Sequence, residues 1–256
     1  MQGCMEVVIL KLDKVVGTGA RAKVYYSGQY AYKLFTKGYS KTDILYEALI
    51  NSIIENTGLH VPKIYEILDI EGQMAIKMDF IKGTALNDYM IKHSGNLSIY
   101  LKEMVKLQIE MHSKKIFLPF SFKDKLKNQI KENEKLNLTL KEKVLMLLSK
   151  LPDGNALCHG DFHGYNILVC GDEYWIIDWP NASYGSAEGD ACRTYMIYFL
   201  YSPQVAEMYL NLYCEESGRE KEKILIWLPI LLTARLSENV DNEEEKIIVL
   251  INERLK

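Results

Sequence analysis

The stretch that most constrains this chain is residues 156–179, ALCHGDFHGYNILVCGDEYWIIDW. A short apolar segment leads into a polar loop, and two apolar runs follow at 167–169 and 175–177. Between those runs stands Gly171-Asp172, a dipeptide that favours the tight turn of a β-hairpin. Asp178 follows the second strand directly. One loop and one hairpin are thus expected to bring together three ligand-type side chains, Asp161, Asn166 and Asp178. A carboxylate that can take a hydroxyl proton, beside an amide and a carboxylate that can hold Mg²⁺, is the constellation phosphoryl transfer needs. Taken singly these residues are ordinary: Asp172 reads as a turn residue, and an asparagine in a loop often caps a nearby backbone group. Their joint spacing carries the chemistry.

In HGDFHGYN followed by IID the sequence resembles the aminoglycoside phosphotransferase and choline kinase superfamily, distant relatives of the protein kinases. The resemblance implies an α+β, bilobal protein-kinase-like fold. Residues 1–82 would form a small antiparallel-sheet lobe that binds nucleotide, and residues 83–256 a larger, mainly helical lobe carrying the catalytic loop and the acceptor site. It implies Asp161 as the catalytic acid–base group, Asn166 and Asp178 as ligands of Mg²⁺, and ATP or GTP as phosphoryl donor. His159 would hold the loop through hydrogen bonds, and Asp190 with Arg193 would support it from the following helix.

The N-terminal part fits the same pattern. Residues 7–12 and 15–16 read as a first strand, followed by Gly17-Thr18-Gly19-Ala20-Arg21-Ala22-Lys23-Val24. Glycines let a backbone fold tightly over phosphates. Against the protein-kinase loop, Gly17, Gly19 and Val24 match while Ala22 replaces the third glycine. Alone, the segment reads as a plain hairpin turn. The resemblance makes Lys33, on a strand of the next hairpin, the holder of the α- and β-phosphates, and Glu47 its partner. Glu47 lies on a helix starting at Ser40 and stopping near Gly58, whose packed face is expected to hold Ile44, Leu45, Ala48, Leu49, Ser52 and Ile53. A further hairpin turns at Glu71-Gly72. Residues 78–83 resemble the inter-lobe hinge, where the Asp79 carbonyl and the Ile81 amide would read the adenine edge.

Beyond residue 84 the chain reads as helical, with helices over 87–93, 100–114, 122–136, 140–151, 188–200, 204–217, 221–236 and 243–255. His112 closes an apolar stripe and reads as a hydrogen-bonded core histidine. Composition is that of a globular protein, 48% hydrophobic and 25% charged. A net charge of −3 gives no reason to invoke nucleic acid or an anionic membrane. The apolar stretch 224–234 is too short to span a bilayer and is interrupted by Pro229. Five dispersed cysteines without CxxC spacing suggest reduced thiols in a cytoplasmic protein, with neither a zinc site nor a disulfide framework.

The expected activity is transfer of a γ-phosphoryl group from a Mg-bound nucleoside triphosphate to a small-molecule hydroxyl. Acids at Glu238, Asp241, Glu243, Glu244 and Glu245 would suit an aminoglycoside-like cationic acceptor, although acids at a helix start are also favoured by its dipole. Trp179 and Tyr184 could instead wall a quaternary ammonium, or simply pack. The alternatives are a metabolic kinase for choline, ethanolamine, an amino alcohol or a sugar, and a nucleotide-binding pseudokinase. Retention of Lys33, Asp161, Asn166 and Asp178 together argues against the pseudokinase. The short loop after Asp178 argues against a protein kinase.

Overall fold

The computed structural model describes residues 12–255, so the expected strand over 7–12 lies almost entirely outside the described residues. In chain order the strands are β1 (Lys14–Thr18), β2 (Ala22–Ser27), β3 (Tyr30–Phe35), β4 (Ile64–Ile70), β5 (Gln73–Asp79), β6 (Thr84–Ala85), β7 (Ala156–Cys158), β8 (Ile167–Cys170), β9 (Glu173–Ile176) and β10 (Ser183–Gly185). The helices are α1 (Lys41–Ile54), α2 (Leu86–Lys92), α3 (Leu97–Ser113), α4 (Phe122–Glu132), α5 (Leu138–Lys150), α6 (Ala187–Tyr201), α7 (Pro203–Ser217), α8 (Lys221–Leu225), α9 (Leu228–Arg235) and α10 (Glu244–Arg254). The fold is mixed α+β, and the chain divides into two compact units. One holds the described chain up to Gly83 together with Val169–Pro180; the other holds Thr84–Leu168 and the chain from Asn181 onward.

In the first unit five strands form one antiparallel sheet in the order β1-β2-β3-β5-β4. The two-residue turn at Glu71-Gly72 has φ of 51° and 80°, the left-handed pair that a type I′ hairpin requires. Helix α1 packs on this sheet. Its first turn is capped by the Ser40 hydroxyl, which accepts the Asp43 N–H at 3.3 Å, and a left-handed Gly58 ends the 3₁₀ turn beyond it. Ile44 and Ala48 join Ala22, Phe35 and Ile76 in the core between helix and sheet. Burying Phe35, Ile44 or Ile76 stabilises the unit by roughly 1.5–3 kcal/mol each. The buried positions of α1 are Ile44, Ala48, Ile50 and Ile54, whereas Leu45, Leu49 and Ser52 are exposed. The expected face was therefore rotated. Two apolar stripes lie side by side on this helix, and only the sheet decides which is covered.

The segment Val169–Pro180 reaches the first unit through the hairpin of β8 and β9, which turns at Gly171-Asp172. It is tied down there by the Ile176 N–H, donated to the His60 carbonyl at 2.9 Å, and by Trp175 stacked on His60 at 5.1 Å.

The second unit is mainly helical. Helix α3 buries Leu101, Met104, Val105, Gln108, Met111 and His112. Helix α6 is buried on nearly every face, as expected of a helix at the centre of a bundle. Tyr209, Leu210 and Tyr213 of α7 and Leu228, Leu231 and Leu232 of α9 complete the core. The single helix expected over 221–236 is two helices, α8 and α9. Pro229 lacks the N–H that a continuous helix needs there, and it fits instead the first turn of α9. Strand β7 pairs antiparallel with β10 and delivers the chain to His159. No helix among the described residues is long and apolar enough to cross a membrane.

Candidate active site

The loop after β7 is fixed from behind before its functional atoms are placed. Gly160 bends the chain with φ of 79°, and a Cβ there would stand 2.7 Å from the Asn181 carbonyl oxygen, so only glycine fits. The Gly160 N–H donates to Asp190 Oδ1 at 2.7 Å, and its carbonyl accepts Arg193 Nε at 3.1 Å. Asp190 is fully buried and also meets His112 Nε2 at 2.9 Å and Gln108 Nε2 at 3.3 Å. His112 makes its second bond, at 2.9 Å, to the Tyr213 hydroxyl, so it is a hydrogen-bonded core histidine. Burial pushes the Asp190 carboxyl up, but His112 and the Gly160 N–H outweigh it and hold the group ionised below the usual carboxylate range. His159 Nδ1 accepts the Asp161 N–H at 3.2 Å, and the Tyr198 hydroxyl accepts the Gly164 N–H at 3.0 Å.

On this frame Asp161 is half-buried and faced by several donors. His163 Nε2 lies 3.4 Å from its Oδ2, Asn166 Nδ2 3.4 Å from the same oxygen, and Arg193 Nη2 3.8 Å from Oδ1. Burial alone would raise the carboxyl, yet His163, Arg193 and His159 hold it well below the usual carboxylate range. Asp161 is therefore a firmly ionised carboxylate. Asn166 is buried and donates its amide N–H to the Asp161 carbonyl at 2.9 Å. His163 had no role in the sequence reading. Its signal was available as the second histidine of HGDFHGYN, between the acid and the amide.

In the first unit Lys33 stands on the central strand β3 and makes two ion pairs, to Glu47 at 2.6 Å and to Asp178 at 2.8 Å. Burial pulls the ammonium's pKa down, but the Asp178 and Glu47 carboxylates outweigh it and raise it above the ordinary lysine value. Burial likewise pushes Glu47 up, and Lys33 only partly offsets this. Asp178 adopts φ of 66°, a left-handed conformation rare for a residue with a side chain and found chiefly at turns and functional sites. Its carboxylate is exposed, at 44% of side-chain area.

The remaining candidates fall out unevenly. Gly17 lies in β1 and Gly19 opens the β1–β2 turn, which is closed by the Gly19 N–H on the Ala22 carbonyl at 2.9 Å, and both would accept a Cβ at ordinary contact distances. Asp79 uses its carboxylate to accept the Lys63 N–H at 3.0 Å and the Tyr65 hydroxyl at 2.7 Å. The Ile81 carbonyl accepts the Gly83 N–H at 2.9 Å. Trp179 corrects an expectation: at 1% exposure, with its indole N–H donated to the Ile176 carbonyl, it is a packed ring and cannot wall a ligand. Glu238 is engaged by Arg193 at 2.8 Å and by Arg235, Glu243 by Arg235 at 2.7 Å, and Glu244 by Lys135. Asp241 is exposed. The Arg235–Glu238 pair has a local i,i+3 spacing, whereas Arg193 reaches Glu238 from α6, 45 residues away.

Magnesium is held through hard oxygen donors. Among the described residues no three His, Cys, Asp or Glu side chains cluster as a self-sufficient metal cage. Mg²⁺ needs only one or two protein oxygens and takes the rest of its shell from phosphates and water. Each unit offers a hard oxygen donor by itself, the Asn166 amide oxygen in the second and the exposed Asp178 carboxylate in the first.

No curated protein matches the sequence. Among solved structures, a choline/ethanolamine kinase family protein from Mesorhizobium loti superposes with a TM-score of 0.65 at 16% identity, covering 94% of this chain and 85% of that one. Choline kinase LicA from Streptococcus pneumoniae gives 0.64 at 19% identity, over 97% and 92%. A thermostable mutant of aminoglycoside phosphotransferase APH(4)-Ia, in a ternary complex with ADP and hygromycin B, gives 0.69 at 12% identity, over 94% and 91%. At these identities the likeness is one of fold, and the fold is kinase-like. The model of the phosphotransferase enzyme family (APH) matches residues 14–225, most of the chain and all of the catalytic loop. With Asp161 seated in that loop and Lys33 paired to Glu47 and Asp178, the chain belongs to the phosphotransferase enzyme family.

Proposed function

We propose that this chain is a small-molecule kinase that transfers the γ-phosphoryl group of a Mg-bound nucleoside triphosphate to an alcohol. The observation that carries the reading is the Asp161 carboxylate, kept ionised and oriented by a loop whose backbone is anchored on Asp190 and Arg193. Asp161 positions the acceptor hydroxyl and takes its proton. A strongly ionised carboxylate is a weak base, so the proton moves late, as the loose transition state of phosphoryl transfer requires. Lys33 orients the α- and β-phosphates, with Glu47 holding the ammonium ready. Asn166 and Asp178 would hold magnesium, which would supply charge neutralisation on the triphosphate. The Asp79 carbonyl and the Ile81 amide are the proposed adenine contacts.

The acceptor is the finer question. An aminoglycoside-like polycation would need surplus acid near Asp161, and the segment 238–245 was the source expected from sequence. Three of its five carboxylates, Glu238, Glu243 and Glu244, already face arginine or lysine. That balance favours the second reading, a metabolic kinase for a compact alcohol such as choline, ethanolamine, another amino alcohol or a sugar. The test is a phosphotransfer screen of the purified protein with MgATP and MgGTP against aminoglycosides, choline-like alcohols and sugars, read by ³¹P NMR. Transfer to a compact alcohol is expected. Transfer to aminoglycosides alone would reverse the acceptor assignment, and no transfer to any hydroxyl would reject the kinase reading.

A further inference from the structure

His163 stands between the proposed base and the proposed metal ligand, and the reaction outlined above gives it no part. Its surroundings fix more than its position. Nδ1 accepts the backbone N–H of Tyr165 at 3.3 Å, so the lone pair is on that nitrogen. In a neutral imidazole the proton then resides on Nε2. Nε2 faces two groups, Asp161 Oδ2 and Asn166 Nδ2, each at 3.4 Å. The Asn166 amide is oriented by the N–H it donates to the Asp161 carbonyl at 2.9 Å, so the atom it turns toward His163 is itself a donor. The carboxylate is the one acceptor of the two.

Building on the assignment of Asp161 as the base, we propose that His163 is a positioning residue. As the Nε2–H tautomer it donates to Asp161 Oδ2, and with Arg193 beside Oδ1 it sets the rotation of the carboxylate toward the acceptor hydroxyl. The 3.4 Å separation is long for a hydrogen bond, as catalytic contacts often are before substrate tightens them. The competing explanation is purely local: Nδ1 caps the one-turn helix Gly164–Asn166, and Nε2 does nothing.

Two substitutions separate these roles. His163→Asn places an amide oxygen near Nδ1, keeping the cap, but is too short to reach Asp161. His163→Gln places a donor near Nε2 and abandons the cap. If His163 positions Asp161, His163→Asn lowers kcat by about 10- to 100-fold with nucleotide KM within about twofold, since small misplacements of a reacting group cost that much. His163→Gln then recovers most of the lost rate. If the cap is its whole role, His163→Asn behaves as wild type and His163→Gln is the damaged variant, and the proposal falls. ¹⁵N NMR of the histidines in the full wild-type chain gives an answer that needs neither variant to fold nor any turnover. Protonation at Nε2 of His163 is expected, and protonation at Nδ1 overturns the proposal. A wild-type protein without phosphotransfer would reject the kinase reading and leave this inference to the tautomer measurement.

Discussion

Gly160→Ala tests how tightly the catalytic loop is held. Two terms add. Alanine at φ of 79° carries a left-handed strain of about 1–2 kcal/mol. Its Cβ would also stand 2.7 Å from the Asn181 carbonyl oxygen, closer than real contacts allow, so the peptide must move. That movement works against the 2.7 Å bond from the Gly160 N–H to Asp190, a charge-assisted bond worth roughly 1.5–3 kcal/mol. The sum is about 3–5 kcal/mol, or a fall in Tm on the order of 10 °C for a chain of this size. Because Asp161 is the next residue, kcat should also fall by about 10²-fold. Gly171→Ala is the matched control: φ is 62° at the hairpin turn, and nothing lies within 4 Å of its added Cβ. It bears the strain alone, about 1–2 kcal/mol, without a loss of kcat. Thermal unfolding and steady-state phosphotransfer on both variants make the comparison. Equal losses of Tm and kcat in the two would refute the claim that packing around Gly160 holds the proposed base, Asp161.

Other perturbations separate the remaining parts. Lys33→Ala should weaken nucleotide binding by at least about tenfold with little loss of Tm, because Glu47, already pushed up by burial, can take a proton once its partner is gone; calorimetric titration with MgATP checks this. Asp190 has a folded pKa below its unfolded value, so the stability it contributes is present above about pH 4 and is lost as pH falls through the folded value. Asp190→Asn should therefore destabilise the protein at neutral pH and flatten the acid limb of its stability curve, as denaturant melts at several pH values would reveal. Glu238→Gln should lower kcat and Tm by releasing Arg193, whereas Asp241→Asn should leave turnover of a neutral alcohol unchanged at any salt concentration. A cationic acceptor whose KM rises with salt and with Asp241→Asn would restore the polycation reading.

Much of this was legible in the sequence because the decisive signals are local. Gly171-Asp172 marks a hairpin by itself, Ser40 marks a helix start, and HGDFHGYN carries its spacing within eight residues. What was not legible depends on partners distant in the chain. Leu45 and Ile44 are equivalent as helix-face candidates until a sheet covers one of them. Glu238 looks like surface acid until Arg193, 45 residues away, pairs with it. Trp179 follows a metal-ligand candidate and invites a ligand role, but it is packed to 1% exposure. Pro229 was visible, yet whether it kinks a helix or begins a new one is set by what packs around it. His163 was missed for another reason: its role lies in which ring nitrogen accepts the Tyr165 N–H, and a sequence does not specify a tautomer.

The most direct test of the central claim is Asp161→Asn in a kinetic comparison with the wild-type chain. Transition-state proton transfer by a positioned side chain contributes about 10²–10⁴-fold, and the amide keeps the shape while losing the charge. The account predicts kcat for alcohol phosphorylation lower by that factor, with nucleotide affinity unchanged within about twofold. An Asp161→Asn protein that retains kcat and instead loses nucleotide binding would contradict it.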